Sequence, residues 1–205
     1  MTSDLKNLLL AIIALLLPAQ ICGQPLSARQ TLDKVVARLN AAPGISCGFT
    51  LTHSGGSASG TLRAKGTRFV ISSPASSAWY DGHYLATYSK ATNEITIVRP
   101  TLAELRETNP LLYLGAAADY DISYAKSSGT STRRLLLKAR RRGAPARQLL
   151  VTVGAASLTP VSIEATLSDG RKVTIRLSNV NLKASIPDAE FKYKKPKSAK
   201  VNDLR

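Results

Sequence analysis

Acidic residues, histidines, cysteines and aromatics are all scarce in this chain. Its 205 residues include two histidines, two cysteines, one tryptophan and three phenylalanines, and 13 acidic residues stand against 28 basic ones for a formal charge of +15. With so few histidines and no paired carboxylates in a recognisable motif, general acid–base chemistry has almost no candidates. His53 borders the turn Ser54-Gly55-Gly56-Ser57 and His83 follows Asp81-Gly82, so both read as exposed turn residues rather than bases. There is no nucleophile elbow, P-loop or zinc-ligand spacing. The stretch Ser54 to Gly60 has the composition of a phosphate cradle, but no helix start follows it, so it reads as a hairpin loop. These absences exclude the common catalytic classes, and neither an enzyme, a metal nor a cofactor is expected.

A long hydrophobic run is also missing. The longest, Leu8 to Leu17, is too short to span a bilayer. It follows Lys6, has no polar face, and leads into Pro18 and the small residues Ala19 and Gly23, the pattern of a cleavable export signal. We therefore expect residues 1–23 to be a signal peptide, cut after Ala19 or Gly23, and residues 24–205 to form one domain of about 180 residues, enough for one core and marginal for two. Cys22 leaves a lipid anchor open, although Ala19-Gln20-Ile21 is a poor match to a lipidation signal because Ile21 is not small. Cleavage after Gly23 leaves Cys47 alone, so no intramolecular disulfide can form. Cys47 lies in the alternation Ile45, Cys47, Phe49, Leu51 and reads as a small buried hydrophobe.

The charge survives that cleavage, since Lys6 and Asp4 leave together. A basic surface seeks an anionic partner; for an exported chain that means lipid head groups, lipopolysaccharide phosphates or acidic proteins, and no nucleic acid is expected. The densest basic stretches, Lys138 to Arg147 and Lys192 to Lys200, flank Gly143, Pro145 and Pro196 and read either as solvated loops or as docking patches.

What is abundant is alternation. Ser27 and Gln30 fit a capping box before Leu32, Val35, Val36 and Leu39 at helical spacing, and Pro43-Gly44 closes that helix. Period two then takes over. Strands are expected at Ile45 to His53, Ser59 to Lys65, Arg68 to Ser73, Ala78 to Asp81, Tyr84 to Ser89, Glu94 to Val98, Asp119 to Tyr124, Arg133 to Lys138, Gln148 to Val153, Val161 to Leu167 and Lys172 to Leu177. The last two form a hairpin across Ser168-Asp169-Gly170. The connections are too short for parallel crossovers, so the sheet is expected to be antiparallel. Between Val98 and Asp119 the alternation stops. Thr101 and Glu104 make a second capping box, and Asn109-Pro110 opens the apolar cluster Leu111, Leu112, Tyr113, Leu114. A large apolar sheet face with three modest helices to cover it must close on itself, meet a second sheet, or be capped around a cavity.

The order of these features carries a resemblance: a leader, an amphipathic helix, Ile45-Ser46-Cys47-Gly48-Phe49-Thr50, Gly60-Thr61-Leu62, Trp79-Tyr80-Asp81-Gly82, Pro100-Thr101 with Glu104-Leu105, Asn109-Pro110 with its leucines, Ile186-Pro187-Asp188-Ala189-Glu190-Phe191, and Asn202-Asp203-Leu204-Arg205. In this order the chain resembles the outer-membrane lipoprotein carrier family, LolA-like, in its Bacteroidetes form, over essentially the whole mature part. The resemblance implies a mainly β fold with α: a curved antiparallel half-barrel of about eleven strands covered by a helical lid around a hydrophobic cavity. It implies a periplasmic, monomeric carrier that ferries acylated lipoproteins from an inner-membrane lipoprotein-releasing ABC transporter to an outer-membrane acceptor or the membrane surface. The alternatives within the same half-barrel are a lipid-anchored acceptor, using Cys22, and a periplasmic lipid-sensing or interaction domain.

On this reading the acyl cavity is expected to be lined by Phe49, Leu51, Phe69, Ile71, Trp79, Leu102, Leu105, Leu111, Leu112, Leu114, Leu149, Val151, Ile163, Val173 and Ile175. Where the family has an arginine followed by proline that latches the lid, this chain has Lys65-Gly66, making Lys65 the latch candidate; lysine lacks the planar fork of arginine. The leucines after Asn109-Pro110 are read as a movable lid, with ordinary core as the competing reading.

Overall fold

The computed structural model describes residues 25–126, 129–144 and 146–205. The expected signal peptide, with Cys22, lies outside the described residues. The chain opens with helix α1, Ala28–Asn40, started by the expected box: Gln30 N donates to Ser27 Oγ at 3.2 Å and Ser27 N to Gln30 Oε1 at 2.9 Å. Two of the orphan N–H groups of the first turn are thereby satisfied. Six strands follow as a meander: β1 Ile45–His53, β2 Gly56–Lys65, β3 Arg68–Ser72, β4 Ser76–Tyr80, β5 Leu85–Ser89 and β6 Glu94–Val98. Helix α2, Leu102–Thr108, and a 3₁₀ stretch, Pro110–Asp119, lead to a second meander, β7 Tyr120–Ala125, β8 Thr132–Ala139, β9 Ala146–Gly154, β10 Pro160–Leu167 and β11 Lys172–Asn181. A short last strand, β12, covers Lys200–Asp203.

The two meanders join through an antiparallel β1–β11 pairing, Phe49 opposite Leu177 and Leu51 opposite Ile175, to give one open sheet in the order β12-β6-β5-β4-β3-β2-β1-β11-β10-β9-β8-β7. This order explains the lid. Strands β6 and β7 follow one another in sequence but lie far apart across the sheet, so the chain between them must cross a face, and α2 with the 3₁₀ stretch is that crossing. The fold is the curved half-barrel with a helical lid, and α1, α2 and the 3₁₀ stretch Pro110–Asp119 sit on the concave face.

One strand differs from expectation. β12 pairs in parallel with β6, Val201 opposite Ile95. The short-connection argument for an all-antiparallel sheet fails here because the chain between β11 and β12, residues 182–199, is long enough to run across the back of the sheet. It lays Ala184, Ile186 and Phe191 on Val70 before reaching the β6 edge.

The largest core lies under α1. Leu32 and Val35 meet Tyr120, Leu135, Leu137, Leu149, Val151, Val153 and Ile163, all without exposure. Burying side chains of this size stabilises by about 1.5–3 kcal/mol each before entropy is counted. The Tyr120 hydroxyl, buried with them, donates to Ala146 O at 3.0 Å and accepts from Ala146 N at 3.1 Å, so its polar end costs little. Tyr124 Oη donates to Leu26 O at 2.8 Å and lies 2.6 Å from Thr31 Oγ1, holding the start of α1 against β7.

Candidate functional site

Beside that core the packing loosens. Between α2, the start of the 3₁₀ stretch and strands β1, β2, β3, β10 and β11 lies a narrow cleft of about 40 Å³ lined by Phe49, Leu51, Leu62, Ile71, Thr108, Asn109, Leu111, Ile163, Ile175 and Leu177. It shares Leu51, Ile163 and Ile175 with a wider outer part of about 270 Å³, lined also by Tyr113, Ala165, Leu167 and Val173 and rimmed by His53, Ser54, Arg106, Glu107, Arg171 and Lys172. The site is therefore a channel with an apolar interior and a polar mouth.

Strand alternation supplies the sheet-side lining. Phe49 and Leu51 on β1, and Ile175 and Leu177 on β11, face the helices because residues two apart share a face. Gly60 stands opposite Phe49, and a Cβ there would run into the Ser72 backbone oxygen on β3 first and then come within 2.9 Å of the Phe49 ring, so the glycine admits both the close approach of β3 and a ring that lines the cleft. On the lid side, Glu104 N donates to Thr101 Oγ1 and Thr101 N to Glu104 Oε2 at 2.7 Å. Accepting from the Thr101 backbone, and secondarily from its hydroxyl, holds the Glu104 carboxyl below its ordinary range. Asn109 is buried at the joint of the lid: its N–H donates to Leu105 O at 2.7 Å, ending α2, and its Oδ1 accepts from Leu111 N at 3.2 Å, starting the 3₁₀ stretch.

Of the residues expected in the cavity, Phe49, Leu51, Ile71, Leu111, Ile163, Val173 and Ile175 border it. Phe69, Leu105 and Leu112 pack in the cluster around it without reaching the opening. The others are corrected. Leu114, Leu149 and Val151 belong to the closed core under α1. Leu102 is 56% exposed on the outer side of α2. Trp79 lies on the back of the sheet with Ala86, Ile95 and Ile97, because its neighbours Ala78 and Tyr80 take the concave face. Lys65 is no lid latch in this structure: alternation puts Leu62 and Ala64 on the concave face and Arg63 and Lys65 on the back, where Lys65 Nζ meets Asp188 Oδ1 at 2.9 Å. Arg68 joins the same carboxylate at 3.1 Å, and these two partners, Lys65 first, hold the Asp188 carboxyl below its ordinary range. The sequence reading missed Leu62, Leu177, Asn109 and the charged rim; Leu177 shares the alternation of Val173 and Ile175, which it used.

The other chemistry is quiet. Cys47 is buried, and burial pushes its thiol up to about 11, away from the reactive range. His53, the last residue of β1, and His83, in a turn, are both exposed and bond to the adjacent turns, Gly55 N donating to His53 Nδ1 and His83 N to Asp81 Oδ1. Among the described residues no group of three or more potential metal ligands comes together. In the basic loop, Arg140 pairs with Asp121 at 2.8 Å and Arg141 with Asp119 at 2.7 Å.

A family model described as outer membrane lipoprotein carrier protein LolA matches residues 20–170. The chain belongs to this family. Its members are exported carriers and binding proteins rather than enzymes, and among the described residues of this LolA-like chain no helix is long and apolar enough to cross a membrane. A search of curated proteins finds no match. Among solved structures, an uncharacterized conserved protein from Thermus thermophilus is similar at 12% identity and TM-score 0.59, over 85% of this chain and 99% of that one, which shows the fold alone. A LolA superfamily protein from Nitrosomonas europaea aligns at 12% identity and TM-score 0.46, over 82% and 99%. MucB in its complex with MucA from Pseudomonas aeruginosa aligns at 12% identity and TM-score 0.45, over 82% and 61%.

Proposed function

We propose that residues 24–205 form a periplasmic lipoprotein carrier that takes acylated cargo from an inner-membrane lipoprotein-releasing ABC transporter and delivers it to an outer-membrane acceptor or the membrane surface. The observation that carries this reading is the apolar channel under the lid, bounded by Phe49, Leu51, Ile71, Leu111, Ile163 and Ile175, in a chain of the lipoprotein carrier family. Each buried methylene is worth about 0.8 kcal/mol, so an anchor of long acyl chains leaves a membrane only for a comparably apolar surface. The channel offers that surface without a reactive group.

As it stands the inner cleft, at about 40 Å³, has room for little more than a water molecule. An acyl chain enters by displacing Leu111 and the lid it belongs to. That segment is suited to moving: Leu111 and Leu112 are half-buried, whereas Leu114, one turn on, is locked into the core. The lid therefore hinges near Asn109, and the 3₁₀ stretch beyond Tyr113 is its anchor. Native mass spectrometry of the full chain purified from its own periplasm tests the reading. Copurifying acylated species are expected; protein free of lipid, in a strain making lipoproteins normally, would count against it.

A further inference from the structure

The mouth of the channel is charged in a way that acyl burial does not explain. Arg106, on α2, lines the outer cleft, and its Nε is fully buried with no hydrogen-bond partner. Among the described residues Arg106 forms no ion pair either: Glu107, its neighbour in sequence, also lines the mouth, but successive helix residues point in directions about 100° apart. Across the cleft stand Arg171, whose Nε is 2.6 Å from Asp169 Oδ2 at the tip of the β10–β11 hairpin, with Lys172 and the exposed His53. A guanidinium with a buried, unanswered N–H is costly to keep, and a fork of parallel donors fits a phosphate or carboxylate. Apolar lining begins within the same cleft, at Leu51, Ile163 and Ile175.

We infer that Arg106, with Arg171 opposite, binds the anionic head group of an amphiphile whose acyl chain fills the channel, as in an acidic phospholipid; this rests on the acyl-carrier reading above and adds an anionic amphiphile to the acylated lipoproteins it names as cargo. A neutral head group can accept from Arg106 but leaves its charge unanswered. Glu107 at the same mouth disfavours a second negative charge, which suits a singly charged head group better than a highly phosphorylated one.

Calorimetric titration of the full chain with two lipids of equal chain length, lauroyl lysophosphatidylglycerol and neutral lauroylglycerol, each below its aggregation concentration, tests this. The anionic lipid is expected to bind about tenfold or more tighter, the return of one charge-assisted hydrogen bond. Arg106→Gln should bring the ratio of the two affinities close to one. Arg171→Gln, at an exposed position, should reduce the preference in part, and it decides the matter should R106Q fail to fold. Equal wild-type affinity for the two lipids overturns the head-group site but leaves the acyl carrier standing, whereas failure to bind either lipid removes both. Inorganic phosphate is expected not to bind at concentrations that saturate with the lysolipid; if it bound as tightly, the site would be one for free phosphate and the lipid assignment would fall.

Discussion

The two meanders are built from the same alternating strands yet are closed in opposite ways. Strands β7–β10 are sealed by α1, and Leu135, Leu137, Leu149 and Val151 have no exposure. Strands β1–β3 and β11 are roofed only by α2 and the first residues of the 3₁₀ stretch, and Phe49, Leu51, Ile71 and Leu177 stay half-buried around an opening. The difference comes from the cover. α1 brings thirteen residues with an apolar stripe two turns long, while α2 has seven residues and a single buried one, Leu105. The half-barrel opens where its roof is too small for its floor.

The contrast breaks most visibly at the sealed half. Leu149→Ala is expected to cost about 2–5 kcal/mol of folding stability, the range for a buried leucine whose site cannot collapse, with no selective loss of acyl-probe binding; denaturant unfolding beside probe displacement reads both. Tyr120→Phe should follow at about 1–3 kcal/mol, because it leaves Ala146 N–H and C=O buried without their partner, as chemical denaturation will show. The open half should behave in reverse. Leu111→Ala with Leu112→Ala is expected to weaken acyl-probe binding by a few kcal/mol at most and speed release, at a smaller stability cost than L149A alone. If these leucines are fixed core, the pair will instead cost several kcal/mol of stability and leave release unchanged.

The smallest expected effect concerns the lid's start. The folded carboxyl of Glu104 titrates below its unfolded value, so its support of the α2 cap is present above the ordinary glutamate range and lost as pH falls through the lowered folded value. Acidification should therefore loosen the lid before the α1 core, and Thr101→Val should flatten that dependence. Hydrogen exchange at the backbone amides of residues 102–112 against pH is the check.

Much of this was legible in the sequence because alternation marks a strand and its faces together. Ile45–His53 and Glu94–Val98 have the expected limits, and both capping boxes form. Trp79 was misplaced because Ala78, Trp79 and Tyr80 are apolar in succession, which erases the polar beat that tells one face from the other. That beat is missing because both faces are covered there, the back by the chain after β11. The same wrap hid β12, whose Lys-Val-Asn-Asp has one apolar residue, and it recruited Lys65, since the pairing with Asp188 spans 123 residues and leaves no local trace. Leu149 and Val151 were assigned to the right face but the wrong cover, because alternation gives the face and says nothing about which helix lies on it.

The central claim is that acyl chains occupy the channel under α2 and not the core under α1. Photo-crosslinking with a diazirine-bearing fatty acid, followed by peptide mapping, tests it most directly. Saturable labelling of the peptides carrying Leu51, Ile71, Leu111 and Ile175, competed away by lysolipid, is the expected result. Labelling confined to the back of the sheet around Trp79, or labelling that no lipid competes, would contradict it.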